Sequence, residues 1–228
     1  MDLSIVIVNW NTRDLLTGCL RSLEKNVQTL QRPTPSTDTS QAFETFVVDN
    51  GSTDGSAARV SECFPWVHLI KNAENVGFAR ANNQALRQAT GRYVVLLNSD
   101  TEVRPDAFQT MVAFMDTHPK AGGCGPRLLN PDGSLQPSCH PMLTPGREFW
   151  RLLFLDRVWR RATYAQNQWD WSEPRPVEVI KGACLMLRRE ALDQVGLLDE
   201  RYFMYTEEMD LCYRLAQARW DLWWVPQA

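Results

Sequence analysis

The sequence predicts an α/β fold, a mostly parallel sheet flanked by helices. Three observations carry this. Short apolar runs alternate with amphipathic stretches of helical period through the first half of the chain. That order builds right-handed strand–helix–strand crossovers. The runs "SIVIV" and "YVVLL" are apolar throughout rather than alternating, so both faces of the sheet are expected to be covered. Three strands also stop in polar clusters: Asn9-Trp10-Asn11, Asp49-Asn50-Gly51-Ser52 and Asn98-Ser99-Asp100. Ligands of such sheets sit at the carboxyl ends of the strands, so the coincidence marks a binding edge.

Residues 3–8 (LSIVIV) predict the first strand. The stretch that follows predicts a helix with Leu15, Leu16, Cys19, Leu20 and Leu23 on one face and Asn11 or Thr12 as N-cap. Residues 31–41 (QRPTPSTDTSQ) predict an exposed loop, from two prolines and many small polar residues. Residues 43–48 form a second strand that ends in a turn-rich loop, and "VHLIKNAENVG" a short third strand and loop. "FARANNQALRQATG" reads as a helix closed by Gly91, and residues 93–97 as the central strand.

The second half is less regular. "CGPRLLNPDGSLQPS" reads as loop and hairpin, and "REFWRLLFLDRVWRRATY" mixes aromatic with basic residues. "VEVIKGACLMLRREALDQVG" reads as a strand and a helix closed by Gly196. "LLDERYFMYTEEMDLCYRLAQA" leads into another helix, and the chain stops at "DLWWVPQA", within a strand.

Composition narrows the function classes. The 228 residues are 44% hydrophobic, enough for one large domain or two small ones. A net charge of −3 supplies no basic field, so no nucleic-acid partner is expected. No apolar run approaches the ~20 residues of a membrane span. "MDLSIVIVNW" has no basic n-region, which predicts no signal peptide and a cytoplasmic protein. Six cysteines without C-x-x-C spacing read as reduced, buried thiols.

Three acidic positions stand out. Asp49 either closes an Asx-turn or accepts hydrogen bonds from a base or ribose. Asp100 either ends the central strand in a turn or holds a divalent metal beside a diphosphate. Glu207, Glu208 and Asp210 either fill the first turn of a helix behind Thr206 as N-cap, or include a general base. The sequence lacks G-x-G-x-x-G after the first strand, G-x-x-x-x-G-K-[ST], H-E-x-x-H and G-x-S-x-G. That turns the reading away from dinucleotide-binding, P-loop, zinc and Ser-His hydrolase sites.

Taken in order, "SIVIVNWN", "VVDNGSTDGS", "NVGFARANNQAL", "VVLLNSDTEV" and "GACLMLRREALDQVGLLDERYFMYTEEMDLCYR" resemble the family 2 glycosyltransferases, in their bacterial rhamnosyltransferase-like branch. The match runs over nearly the whole chain. The resemblance implies a GT-A (Rossmann-like) fold as a single domain over residues 1–228. Residues 1–105 are then the nucleotide-sugar-binding half and residues 106–228 the acceptor-binding half. Family members carry a further histidine beyond this chain's last position, so that half is expected to be shortened.

The resemblance also assigns residues. Asn9 and Asn11 line the nucleotide pocket, Asp49 contacts base or ribose, and Ser52 shares its loop. Asn75, Gly77, Phe78, Arg80 and Asn82 shape the nucleotide site. Asp100 matches the last carboxylate of a D-x-D-type motif and holds Mg²⁺ or Mn²⁺, with Asn98 in place of the first Asp. Gly182 and Ala183 lie beside sugar and acceptor. Glu207-Glu208 matches the Glu-Asp pair whose second member is the base, so Glu208 is the expected base, with Asp210 in the helix that follows.

The activity so implied is inverting transfer of a sugar, rhamnose in this branch, from a dTDP- or UDP-sugar donor. The acceptor is a hydroxyl of a saccharide or lipid-linked acceptor in cell-surface polysaccharide synthesis. Residues 149–161 (FWRLLFLDRVWRR) suit a peripheral contact at the inner face of the membrane. Two other readings stand beside this one: a nucleotide-sugar-binding module without turnover, and a nucleotidyltransferase. The latter needs a glycine-rich basic loop after the first strand, where this chain has "NWNTRDLL".

Overall fold

In the computed structural model, which describes residues 2–30, 43–154 and 163–228, the chain begins β1 (Leu3–Asn9), α1 (Arg13–Leu30), β2 (Phe43–Asp49), α2 (Ser56–Cys63), β3 (His68–Lys71), α3 (Phe78–Leu86), β4 (Tyr93–Asn98) and α4 (Ala107–Thr117). It continues with β5 (Ala121–Pro126), β6 (Leu128–Leu129), β7 (Leu135–Gln136), β8 (Cys139–His140), α5 (Pro145–Leu152), β9 (Arg175–Val177) and β10 (Val179–Ile180). The last elements are β11 (Cys184–Arg188), α6 (Arg189–Val195), α7 (Glu207–Gln217) and β12 (Asp221–Val225). The expected loop over residues 31–41 and residues 155–162 of the aromatic-basic stretch lie outside the described residues.

One eight-stranded sheet runs in the order β3-β2-β1-β4-β11-β5-β12-β9. β1, β2, β3 and β4 are parallel to one another. β11 runs antiparallel to both β4 and β5, and β12 is parallel to β5. β1 and β4 are buried on both faces, as their apolar runs predict. Leu3, Ile5 and Ile7 of β1 and Tyr93, Val95 and Leu97 of β4 pack into one core with α1, α2 and α4. Val6, Val94 and Leu96 point the other way, into a core with α3, α6 and α7. The period-2 alternation of a strand thus divides the chain into three layers.

Several expectations need correction. Leu16, Cys19, Leu20 and Leu23 bury the face of α1, but Leu15 is 55% exposed. It lies one position round the helix from Leu16, off the stripe. Thr12 precedes α1, yet its hydroxyl donates to Asn9 Oδ1 (2.6 Å), and the Arg13 backbone N–H is capped from another loop by Asp54 Oδ2 (2.8 Å). The turn-rich loop expected after the second strand gives way at Ser56 to α2, an element the sequence reading did not include. α3 ends at Leu86 rather than at Gly91, whose amide donates to Ser4 Oγ (2.8 Å). Gly196 does close α6, at φ 83°. "CGPR", expected as loop, ends the interior strand β5, and the second half supplies four strands of the main sheet.

Asn83, 2% exposed, fixes α3 to the segment that leads towards α7. Its Nδ2 donates to Leu198 O (2.8 Å) and Glu200 Oε1 (3.0 Å), and its Oδ1 accepts from the Leu198 N–H (3.1 Å). Asn83→Leu leaves the buried Leu198 amide and carbonyl without these partners, so a loss of about 3 kcal/mol is expected. Thermal unfolding checks this, with a Tm lower by roughly 6–12 °C at this chain length.

Candidate active site

The three polar clusters meet at one edge of the sheet. Asn9, Asp49 and Asn98 end adjacent parallel strands: Asn9 is in register with Asp49, and Val8 with Asn98. Because β11 is antiparallel, its first residues reach the same edge, with Cys184 beside Leu97. Gly182 and Ala183 therefore lie next to the Asn98–Asp100 turn. Ala183 O accepts from the Asn98 N–H (3.0 Å) and from Thr101 Oγ1 (3.4 Å).

Side chains knit the β1 and β2 loops together. Asn9 Nδ2 donates to Asp49 Oδ1 (3.0 Å) and Ser52 Oγ (3.1 Å). Asp49 Oδ2 accepts the Ser52 N–H (3.2 Å), three residues on rather than the two of an Asx-turn. Asn11, at φ 54°, accepts the Thr53 N–H on Oδ1 (2.8 Å), and its own N–H donates to Ser52 Oγ (3.0 Å). Thr12 Oγ1 shares a 2.9 Å hydrogen bond with Ser99 Oγ, which joins the β1 loop to the β4 loop.

Asn50, missed in the sequence as an individual residue, is a hub and only 2% exposed. Its Nδ2 donates to Asn75 Oδ1 (2.8 Å), and its Oδ1 accepts from Asn72 Nδ2 (3.0 Å) and the Val76 N–H (3.1 Å). Asn75 Oδ1 also accepts the Gly77 N–H (3.0 Å). Gly77 sits at φ 90°, and a Cβ there would lie 2.8 Å from Phe203 O, so only glycine suits this close approach. Phe203 O in turn accepts the Phe78 N–H (2.7 Å). The 202–206 segment is thereby pinned over the start of α3. Asn82 bonds to Phe78 O (2.9 Å) within α3, whereas Arg80 is exposed.

α7 carries the acidic cluster. Thr206, expected as a side-chain N-cap, makes no such bond; at φ 69° its hydroxyl donates to Tyr205 O (2.6 Å). Tyr205 shares that left-handed φ of 69°. Two consecutive non-glycine residues in this region mark backbone held by its surroundings. Asp210 Oδ2 pairs with Arg214 Nε (2.8 Å), and Arg214 donates to Val195 O (2.7 Å) and Leu197 O (2.8 Å), which fixes α7 to the end of α6. Glu207 and Glu208 are different: the Oε2 atoms of both are buried without a hydrogen-bond partner among the described residues. Glu208 lies against the Gly182 backbone, where an added Cβ would be 4.0 Å from Glu208 Cβ. Glu208 is thus near Gly182, and the neighbouring Ala183 carbonyl bonds to the Asn98–Thr101 turn that carries Asp100.

Burial pushes Glu207 up to about 7; its own backbone N–H opposes the rise and the Glu208 charge adds to it. A carboxyl raised on folding stabilises the fold fully below its unfolded value of 4.5, and that contribution is lost as pH rises through about 7. Over that window the loss is roughly 3 kcal/mol. Glu207→Gln is expected to flatten the fall in Tm between pH 4.5 and 7, which a pH series of melting curves tests.

A divalent cation fits this edge in one manner only. No cluster of three His, Cys, Asp or Glu side chains exists among the described residues. Asp100 is exposed, and its carboxylate makes no hydrogen bond to a described residue. One free carboxylate with the neutral Asn98 suits a Mg²⁺ or Mn²⁺ ion that takes its other ligands from water and substrate phosphates.

The class follows from architecture. The chain superposes on a mannosyltransferase from Pyrobaculum calidifontis in complex with GDP-Man and Mn²⁺, at TM-score 0.61 and 21% identity, over 96% of this chain and 53% of that one. It superposes on GalNAc-T7 with UDP, GalNAc and Mn²⁺ at TM-score 0.71 and 17% identity, over 99% and 42%. The fold is therefore GT-A. A sequence profile described as glycosyl transferase family 2 matches residues 4–196, and the chain belongs to that family. It is 34% identical over 205 residues to an N-acetylglucosaminyl-diphospho-decaprenol L-rhamnosyltransferase of Mycobacterium tuberculosis, covering 83% of this chain and 66% of that protein. It is 26% identical over 222 residues to the low-salt glycan biosynthesis hexosyltransferase Agl10 of Haloferax volcanii, covering 93% and 61%. The chain thus spans about two thirds of the length of these relatives.

Proposed function

We propose that the chain is an inverting glycosyltransferase that moves a sugar from a nucleoside-diphosphate donor to a hydroxyl of a lipid-linked saccharide. The observation that carries this reading is that Oε2 of Glu207 and Oε2 of Glu208 are both buried without a hydrogen-bond partner among the described residues. Glu208 lies near Gly182, at the edge where Asn9, Asp49, Asn50 and Asp100 gather. The name of the mycobacterial relative supports L-rhamnose as the sugar and a polyprenyl-diphosphate saccharide as acceptor. The bound GDP-Man, UDP and Mn²⁺ of the structural neighbours support a diphosphate donor and a divalent cation.

In this reading residues 1–105 hold the donor. Asp49 and the Asn9–Ser52 network receive base and ribose, and the Asn75–Phe78 turn shapes the floor under the nucleotide. Arg80 and Asn82 belong to the same donor half. Residues 106–228 supply Gly182, Ala183 and the dyad on the acceptor side. Glu208 removes the proton of the acceptor hydroxyl, and the oxygen attacks the anomeric carbon from the face opposite the nucleotide. The bond from that carbon to the diphosphate oxygen breaks, its electron pair leaves with the nucleotide, and configuration inverts. Glu207 is the neighbouring carboxyl, and its uptake of a proton near neutral pH reduces repulsion within the pair. Asp100, with the donor's phosphates, would hold the cation. When bound, the cation supplies charge neutralisation for the leaving diphosphate.

The test is transfer from dTDP-rhamnose or UDP-sugars, with Mn²⁺, to a short-chain polyprenyl-diphosphate N-acetylglucosamine. NMR of the product is expected to show the anomeric configuration opposite to the donor's. Retained configuration contradicts the mechanism. Donor binding without any transfer by the chain supports the binding-module reading instead.

A further inference from the structure

A base needs its acceptor close, so the groups that flank Glu208 meet that molecule. Gly182 is one of them, since a Cβ there would lie 4.0 Å from Glu208 Cβ. The residue before Gly182 is Lys181, which is exposed. Lys181 follows β10 directly, and its backbone N–H donates to Ser138 O (2.9 Å). Ser138 is buried, with its own N–H on Gln166 Oε1 (2.9 Å) and its hydroxyl on Pro126 O (3.3 Å). The lysine backbone is thus fixed, while the flexible four-carbon stem of its side chain stays in solvent.

Lys181 and Glu208 lie around the same two buried thiols. Ile180, the residue before Lys181, pairs with Cys139 in the β10–β8 ladder. Burial pushes the Cys139 thiol up, and the Lys181 charge acts against that rise. Burial also pushes the Cys212 thiol up, with Glu208 and Cys139 adding to the rise. Charge effects fade with distance and screening, so ammonium and carboxylate share one neighbourhood.

The Lys181 ammonium makes no ion pair or hydrogen bond to a described residue. Other cations of the acceptor half are taken: Arg147 by Glu178, Arg201 by Asp199 and Arg214 by Asp210. Glu208 and Asp100 both repel an anionic acceptor that approaches this edge. An ammonium beside Gly182 offsets that repulsion and donates charge-assisted hydrogen bonds to phosphate oxygens. The donor's diphosphate is matched by the cation at Asp100, on the β4 side. The acceptor's diphosphate sits one sugar ring away from the hydroxyl that Glu208 deprotonates, and Lys181 is the cation that stands there without a partner.

We propose that Lys181 holds the diphosphate of the acceptor, and so selects a saccharide carried on a lipid diphosphate over a neutral glycoside. This rests on the lipid-linked acceptor proposed above.

Calorimetric titration with two soluble probes, and no donor sugar, tests it apart from transfer. One probe is a short-chain prenyl diphosphate N-acetylglucosamine, the other a neutral alkyl N-acetylglucosaminide. Wild type is expected to bind the diphosphate at least about tenfold tighter, with a preference that shrinks as salt rises. Lys181→Ala is expected to remove the preference and its salt dependence, with affinity for the neutral glycoside and for dTDP with Mn²⁺ unchanged. Lys181→Arg keeps the charge and is expected to keep most of the preference. The side chain is exposed, so melting curves of both variants are expected to match wild type. The proposal is overturned if wild type binds neither probe or binds both equally, or if Lys181→Ala keeps the preference. A fall in dTDP affinity in that variant also overturns it, since Lys181 would then serve the donor's diphosphate. If the titrations behave as expected while no sugar is transferred, the reading of Glu208 as base falls and the Lys181 site stands. If sugar is transferred while Lys181→Ala keeps the preference, the reverse holds.

Discussion

Glu208→Gln is expected to lower the transfer rate by about 10³-fold while leaving nucleotide affinity unchanged. Glutamine keeps the size and shape of the side chain but cannot take up the acceptor proton. The side chain lies near Gly182 and takes no part in the Asn9–Asp49–Ser52 network, so donor binding has no reason to change. The result to seek is a fall in kcat with an unaltered Kd for the nucleoside diphosphate. Glu207→Gln is expected to cost much less, because Glu207 already carries a proton over much of the range below pH 7. If Glu208→Gln were fully active and Glu207→Gln inactive, the base would be Glu207.

Asp100→Ala is the second large effect. In the presence of Mn²⁺, nucleoside diphosphate affinity is expected to weaken at least about tenfold, and the difference between metal and chelator to disappear. The substitution removes an exposed side chain that makes no hydrogen bond to a described residue, so fold stability is expected to hold within about 0.5 kcal/mol. Calorimetric titration reads affinity and metal dependence together. Equal affinity before and after the change, with metal present, would take the cation away from Asp100.

The layer architecture and the binding edge could both be seen in the sequence, for a shared reason. A strand buried on both faces is written as an unbroken apolar run, and its polar end then stands out sharply. Asn9, Asp49 and Asn98 were visible in this manner, and the sheet register brings them together. What stayed hidden depended on distant packing. β5 (AGGCGP) looks like loop because of its glycines, yet a Cβ at Gly125 would clash with Ile180 Cγ2, so this glycine lets β10 approach, and one at Gly122 would clash with Trp220. α2 contributes Val60 to the core as its one fully buried apolar residue, too sparse for a period. The direction of β11 was hidden because "CLML" is apolar either way round, and that direction delivers Gly182 to the edge. Asn50 and Asn83 look like ordinary loop and helix asparagines. Their roles come from backbone groups far away in sequence, such as Leu198.

The measurement that bears most directly on the central claim is a thermal-shift series with dTDP, UDP and GDP, each with Mn²⁺, with Mg²⁺ and with chelator. Ligand at 100 times its Kd stabilises by about 2.7 kcal/mol, or roughly 5–10 °C at this chain length. A shift of that size with one nucleotide, largest with metal and strongest for dTDP, is the expected result. No shift with any nucleotide, or one indifferent to metal, would contradict a donor site built on Asp49 and Asp100.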